Sequence, residues 1–190
     1  MNEQFARDVL FSFWSPLTAV TVASGERKNA FVASSVTCAS FAPPNPMRLT
    51  LQMMKINYSY ELVQESRAFA VHLIPKDDMD LVRWLATASG RERDKLGAVP
   101  HSIGVTGSPL LHSAVAYMEC QVVNSMDAGD REILLGDIVA GAQLKQASLL
   151  TYDHFLSSAT PEMMEEYRNY MEPRRPAIAD MARQLRPNLR

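Results

Sequence analysis

Two stretches of this chain carry residue types that could do chemistry. The first runs from Asn29 to Pro44 as Asn-Ala-Phe-Val-Ala-Ser-Ser-Val-Thr-Cys-Ala-Ser-Phe-Ala-Pro-Pro, small and uncharged from the Ser24-Gly25-Glu26-Arg27-Lys28 turn to the proline pair. Small side chains let a flat ligand approach the backbone, where peptide N–H groups and the hydroxyls of Ser34, Ser35 and Thr37 can donate hydrogen bonds. The second, Lys55-Ile-Asn-Tyr-Ser59, leads directly into a helical pattern. Lys55, Asn57, Tyr58 and Ser59 bring a cation and amide and hydroxyl donors to a helix N-terminus, whose free N–H groups and dipole favour a phosphate. Each residue also has a plainer reading. Lys55 then ends a strand in solvent, Asn29 belongs to a turn, Ser34, Ser35 and Thr37 are strand residues, and Cys38 is core.

Other chemistries find little support. The chain has no Gly-x-Ser-x-Gly elbow, no His-Glu-x-x-His, no Cys-x-x-Cys, no phosphate-loop lysine motif and no Gly-x-Gly-x-x-Gly. His72, His101, His112 and His154 are scattered without metal-ligand spacing. Hydrolase and metalloenzyme chemistry are therefore poorly supported, and no metal site is expected.

The elements that must position the two stretches can be read from periodicity. Leu17 to Ala23 alternates with β-branched residues and reads as a strand, with the Asn29 stretch as its hairpin partner across the Gly25 turn. Met47 to Met53 alternates again, placing Met47, Leu49, Leu51 and Met53 on one face. A short helix follows from Ser59 to Ser66, capped by Asn57 or Ser59, then a strand from Phe69 to Ile74. Asp77 to Ala86 has acids in its first turn and apolar Met79, Val82, Leu85 and Ala86, an amphipathic helix that the charged patch Arg91 to Lys95 is expected to continue. His101 to Thr106, Ala114 to Asn124 and Ile133 to Leu144 are extended candidates, separated by turns at Gly107-Ser-Pro109 and Asp127-Ala-Gly-Asp130.

Six or seven strands without sustained βαβ alternation predict a mainly β barrel with short inserted helices. From Thr160 the tail changes character. Thr160-Pro161-Glu162 opens a helix that runs to Pro173, and a second helix, from Ile178 to Leu185, follows Pro176. Such a tail is expected to pack on its own barrel or on a twin subunit.

The chain's 190 residues suit one domain, and 47% hydrophobic residues with a formal net charge of -2 give no sign of nucleic-acid binding. Cys38 and Cys120 lie in apolar runs and read as buried thiols in a reducing compartment, which points to the cytoplasm. Glu3, Arg7 and Asp8 interrupt any leader-like run, and no segment has the length of a membrane span.

Taken in order, Asn29-Ala-Phe-Val-Ala-Ser-Ser35, Pro43-Pro44, Lys55-x-Asn-Tyr-Ser-Tyr-Glu-Leu62, Phe69-Ala-Val-His-Leu73, Lys95, Ser108-Pro-Leu-Leu111, Ala116-Tyr-Met-Glu-Cys120 and Leu135-Gly-Asp-Ile-Val139 resemble the flavin reductase-like family of FMN-binding split barrels. The likeness covers roughly residues 10 to 152. It implies a Greek-key split β-barrel over residues 1–155, a C-terminal helical extension over 156–190, and a homodimer with FMN near the subunit interface. Asn29, Ala30 and the segment Ala33, Ser34, Ser35 and Val36 would line the isoalloxazine ring, with Thr37 and Cys38 beside it, while Lys55, Asn57, Tyr58 and Ser59 would hold the phosphate.

Backbone donors facing the pyrimidine end of a flavin favour the negative charge of its reduced form, and hydride transfer between two positioned rings requires no protein acid or base. The implied activity is hydride transfer from NAD(P)H to flavin, with an oxygenase or another electron acceptor as partner. A non-catalytic FMN-binding electron carrier is the alternative, and a flavin-free interaction module working through the tail is a third reading. The chain departs from the family pattern at Val32, where a threonine is common, and at Asp130-Arg131-Glu132, where the family often places a histidine.

Overall fold

The computed structural model describes residues 16–41 and 45–185, so Pro43-Pro44 and the charged residues near the start of the chain lie outside the described residues. Strand β1 (Thr18–Ser24) turns at Gly25, whose φ of +59° an L side chain rarely adopts, into β2 (Arg27–Ala33), with Thr18 opposite Ala33 and Ser24 opposite Arg27. After Ser34 and Ser35 come β3 (Val36–Ser40) and β4 (Arg48–Met54), then helix α1 (Tyr58–Ser66), β5 (Ala68–Leu73) and α2 (Met79–Ala86). A two-stranded ribbon of β6 (His101–Ile103) and β7 (Pro109–Leu111) precedes the long hairpin of β8 (Ala116–Asp127) and β9 (Arg131–Gln143). Helices α3 (Tyr152–Ser158), α4 (Pro161–Met171) and α5 (Arg175–Gln184) complete the described chain.

The main sheet has the order β2-β1-β5-β8-β9-β4-β3, antiparallel throughout. Strands β2 and β3 therefore stand at opposite edges, although only Ser34 and Ser35 separate them in the chain. The sheet must curl until those edges meet, which makes it a Greek-key barrel split at a seam. At the start of β3 the Gln52 N–H of β4 donates to the Ser35 carbonyl at 3.1 Å, which extends the β3–β4 ladder back to the second serine. The stretch read as one hairpin partner is thus two strands. The break falls where two serines can leave one edge and join the other.

Alternation gives β1 two buried faces. Val20 and Val22 point into a barrel core with Phe31, Leu51, Met53, Phe69, Cys120 and Leu134, while Ala19 faces a second core with Ile74, Leu81, Leu85, Leu111 and Met163. Leu49, Leu51 and Met53 are buried as their spacing requires, whereas Met47 precedes β4 and is exposed.

His72 bridges these layers. Its Nδ1–H donates to the Ala19 carbonyl at 3.2 Å, and its Nε2 accepts the Leu111 N–H at 3.1 Å, an arrangement that requires the neutral ring. Burial pushes its pKa down to about 4. Because the folded value lies below the unfolded one, His72 adds stability above pH 6.5 that is lost as pH falls toward 4. Urea midpoints should therefore drop over that window, with a slope approaching about 1.4 kcal/mol per pH unit for the single proton. His72→Leu should be less stable at pH 7 and should lose that part of the slope; an unchanged slope would remove the assignment.

Several expectations need correction. Residues 91 to 95 are not helical, because side chains capture the backbone donors a helix would use. Ser89 Oγ accepts from Arg91 N–H, and Asp94 Oδ1 accepts from Leu96 and Gly97 N–H at 3.0 and 2.9 Å. Pro109 opens strand β7 rather than only closing a turn, a place where its missing N–H costs nothing. Helix α3 had no apolar period to announce it and starts from the Thr151 cap, whose hydroxyl accepts His154 N–H. Helix α5 begins at Arg175 and carries Pro176 in its first turn instead of starting beyond it. Cys120 is buried, but Cys38 lies exposed on edge strand β3.

Candidate functional site

The seam, the start of α1, the connection after α2 and the tail converge on a cavity of about 200 Å³. Asn29, on β2, is one of the buried polar residues that line it, with Ser35, Ser59, Ser89 and Lys95. Its Nδ2 donates to Ser59 Oγ at 2.9 Å, while its Oδ1, among the described residues, is a buried oxygen with no hydrogen-bond partner. An orphaned buried acceptor costs about 1–3 kcal/mol, so an unpartnered oxygen on a side chain that lines the cavity calls for a donor. Gly90 packs against the same amide. A Cβ there would lie 2.3 Å from Asn29 Oδ1 and 2.7 Å from Nδ2, so glycine is what leaves the amide its place.

Ser59 sits fully buried in the first turn of α1. Asn57 is the N-cap, yet its side chain makes no capping bond, which leaves the first amides of the helix without a side-chain cover. Around this end lie three cations, each engaged by a carboxylate. Lys55 Nζ meets Asp127 Oδ1 at 2.6 Å, Arg91 meets Glu61, and Arg131 meets Asp130 at 3.5 Å. The Lys55 hydrogen bond and the Gly129 amide hold the Asp127 carboxyl below its usual range. Arg91 also donates to the Ile56 carbonyl at 3.3 Å and lies over the Tyr58 ring.

Of the residues singled out from sequence, Asn29, Ala33, Ser34, Ser35, Asn57, Tyr58 and Ser59 line this one cavity. Ala30, Val36, Thr37, Cys38 and Lys55 do not. Ala30 is buried in the second core, and Val36 packs against the first. Thr37 and Cys38 are exposed on β3, with Thr37 Oγ1 2.7 Å from Thr50 Oγ1.

Sequence reasoning missed Gly90, and it named Lys95 in the family pattern without giving it a place in the site. The Lys95 side chain is buried, and its ammonium donates to the Ala30 carbonyl at 3.1 Å and the Leu85 carbonyl at 2.6 Å. It thereby ties the edge of β2 to the C-terminal turn of α2, where a cation suits the helix dipole. Burial first, then the charges of Arg93 and Arg174, push its pKa down to about 8. The tail packs on its own barrel as expected, but its place at the cavity was not foreseen. Phe155, Met163, Met164, Tyr167 and Tyr170 form a wall of the cavity, although the i, i+4, i+7 spacing of 163, 167 and 170 was visible as one face of a helix.

The Flavin reductase like domain family matches residues 10–157 of the chain. The chain is 27% identical over 141 residues to the high molecular weight rubredoxin of Moorella thermoacetica, a match that covers 73% of this chain and spans 60% of that relative's length. It is 30% identical over 138 residues to the ferric-chelate reductase (NAD(P)H) of Archaeoglobus fulgidus, covering 72% of this chain and 80% of that one. Among solved structures, the FMN-binding protein from Thermus thermophilus with bound p-hydroxybenzaldehyde aligns with a TM-score of 0.62 at 31% identity, over 67% of this chain and 70% of that one.

Proposed function

The chain belongs to the flavin reductase like domain family, and from that premise we propose that it is an FMN-dependent NAD(P)H:flavin oxidoreductase. The observation that carries this reading is the unpartnered Asn29 Oδ1, buried beside Ser59 and the uncapped start of α1 on one cavity. A donor on the ligand, such as the imide N–H of a flavin ring or a ribityl hydroxyl, satisfies that oxygen. The small residues Ala33, Ser34 and Ser35 admit a flat ring close to the backbone, and the first amides of α1 receive the phosphate. Bound FMN supplies two-electron chemistry between a nicotinamide and an acceptor. The protein's part is to position the ring and to offer donors to its pyrimidine end.

Lys55 reaches a phosphate only by leaving Asp127. Asp127→Asn is therefore expected to tighten FMN binding about threefold at low salt and to leave the barrel intact, since Asp127 is exposed. The readout is a fluorescence titration of FMN. Weaker binding in that variant would show Asp127 itself to be needed at the site.

The barrel of residues 1–155 is proposed as the flavin-binding domain, with residues 156–190 as its helical extension. Strands β8 and β9 leave Met118, Val123, Met126 and Val139 exposed, an apolar surface suited to a twin subunit, so a homodimer is proposed as the working form. An oxygenase or another electron acceptor would take the electrons, in the cytoplasm. No helix among the described residues is long and apolar enough to cross a membrane.

A further inference from the structure

A second recess lies outside the flavin cavity. It is an open groove of about 760 Å³ between α2, the connection that follows α2, and α4 with the short 3-10 turn Glu172–Arg174. The groove meets the cavity at Thr87 and Tyr170, which line both. Tyr170 and Arg174 lie beyond residue 157, where the match to the family ends, so the tail of this chain completes the groove.

Three guanidinium groups line it, and they differ in what they hold. Arg83 is committed to Glu166, with its Nε donating at 2.8 Å and a second nitrogen to the other oxygen. Asp80 stands in the first turn of α2, where the helix dipole favours a carboxylate. Arg174 reaches Glu92 only at 3.5 Å, and the Glu92 side chain is 64% exposed. Arg93 has no carboxylate within ion-pair distance among the described residues. The groove thus offers one unpaired cation and one loosely paired cation.

Both are held by the face. The Arg93 guanidinium lies 4.5 Å from the centroid of Trp84, and that of Arg174 lies 3.9 Å from the centroid of Tyr170. Trp84 is itself fixed, because its indole N–H donates to the Lys95 carbonyl at 2.9 Å. Stacking restrains a guanidinium plane and leaves its N–H edge to oxygen acceptors. Nearby carboxylates do not cancel this charge. After burial, Arg93 and Arg174 are what lower the Lys95 pKa, and each outweighs the opposite effect of Glu92.

We propose that this groove is a second anion site, which takes a phosphate dianion, free or as a monoester, on Arg93 and Arg174. It stands apart from the flavin reading, because neither arginine lines the cavity. The ligand displaces Glu92 from Arg174, and its remaining oxygens accept from Arg93. A carboxylate matches one guanidinium fork, whereas the three oxygens and double charge of a phosphate serve two. The phosphate has two sources: free phosphate, or the 2′-phosphate of a dinucleotide that enters from the cavity side, a group that arginine suits.

The test is calorimetry on the full chain saturated with FMN, titrated with inorganic phosphate at constant ionic strength. Arg93→Gln should weaken phosphate about tenfold. Glu92→Gln should tighten it about threefold by freeing Arg174. Glu26→Gln, the same change of charge on the exposed β1–β2 turn, should do neither. Titrations with NADP and NAD, which differ by one 2′-phosphate, separate the sources. An NADP preference that Arg93→Gln removes assigns the site to the dinucleotide; equal affinities beside a phosphate signal that needs Arg93 assign it to free phosphate. The proposal is overturned if neither a phosphate signal nor an NADP preference exists, if Arg93→Gln leaves them unmoved, or if Glu26→Gln gains as much as Glu92→Gln. If the chain holds no FMN, the flavin reading fails while the same titration on the flavin-free chain still reports Arg93.

Discussion

Replacing Gly90 by valine is expected to raise the dissociation constant for FMN about 100-fold in a chain that still folds. The cause is steric. Any Cβ at position 90 meets Asn29 Oδ1, Cγ and Nδ2 at 2.3, 2.4 and 2.7 Å, so the amide must swing out of its seat. That movement breaks the 2.9 Å bond to Ser59 Oγ and displaces a buried oxygen that has no partner within the described residues. Losing a buried acceptor and a buried hydrogen bond together amounts to about 3 kcal/mol, which is the stated factor. Asn29→Leu should weaken FMN to a similar degree by removing the same groups without touching position 90. Circular dichroism confirms folding in both. Unaltered FMN affinity in folded Gly90→Val would mean that the Asn29 side chain takes no part in binding.

The second large effect falls on stability. Lys95→Met keeps the aliphatic stem but leaves the Ala30 and Leu85 carbonyls without their donor. Two effects oppose each other, since the substitution also relieves the cost of burying an ammonium. The hydrogen bonds should win at pH 7, because a buried carbonyl left unpaired costs about 1–3 kcal/mol; a net loss of about 2 kcal/mol is expected. The pH dependence is the sharper signature. The folded pKa of Lys95 is about 8, below the model-compound value of 10.5, so the unfolded chain holds this proton more tightly between those values. Stability from this group therefore rises with pH over that window, and the variant lacks the rise. The gap between the two proteins should widen above pH 8, while the tyrosines and thiols common to both cancel in the difference. A gap that narrows there would reverse the account of Lys95.

Much of the fold could be read from local pattern. The Leu49, Leu51 and Met53 alternation and the Thr160-Pro161-Glu162 start behave as their periodicity and capping chemistry require, because neither depends on distant residues. What the pattern could not supply was closure. Nothing local says that the two serines after Ala33 carry the chain from one edge of a seven-stranded sheet to the other. Asn29 and Ser59 were each visible in a motif, but the bond between them spans thirty residues and exists only once the barrel has curled. Lys95 ended a charged run, Arg91 to Lys95, that read as more helix with Gly90 just before it, and the competition of the Ser89 and Asp94 side chains for backbone donors explains why it is not. The tail showed its apolar face but not the cavity that the face covers.

The central claim is that this chain holds FMN and lets a nicotinamide reduce it. The direct measurement is the visible absorption spectrum of the protein with FMN, without oxygen, before and after addition of NADH or NADPH. The account predicts a protein-bound flavin band that bleaches faster than free FMN does. A bound band that persists under both nicotinamides would contradict the reductase and leave an electron carrier. A protein that never retains the band would contradict flavin binding itself.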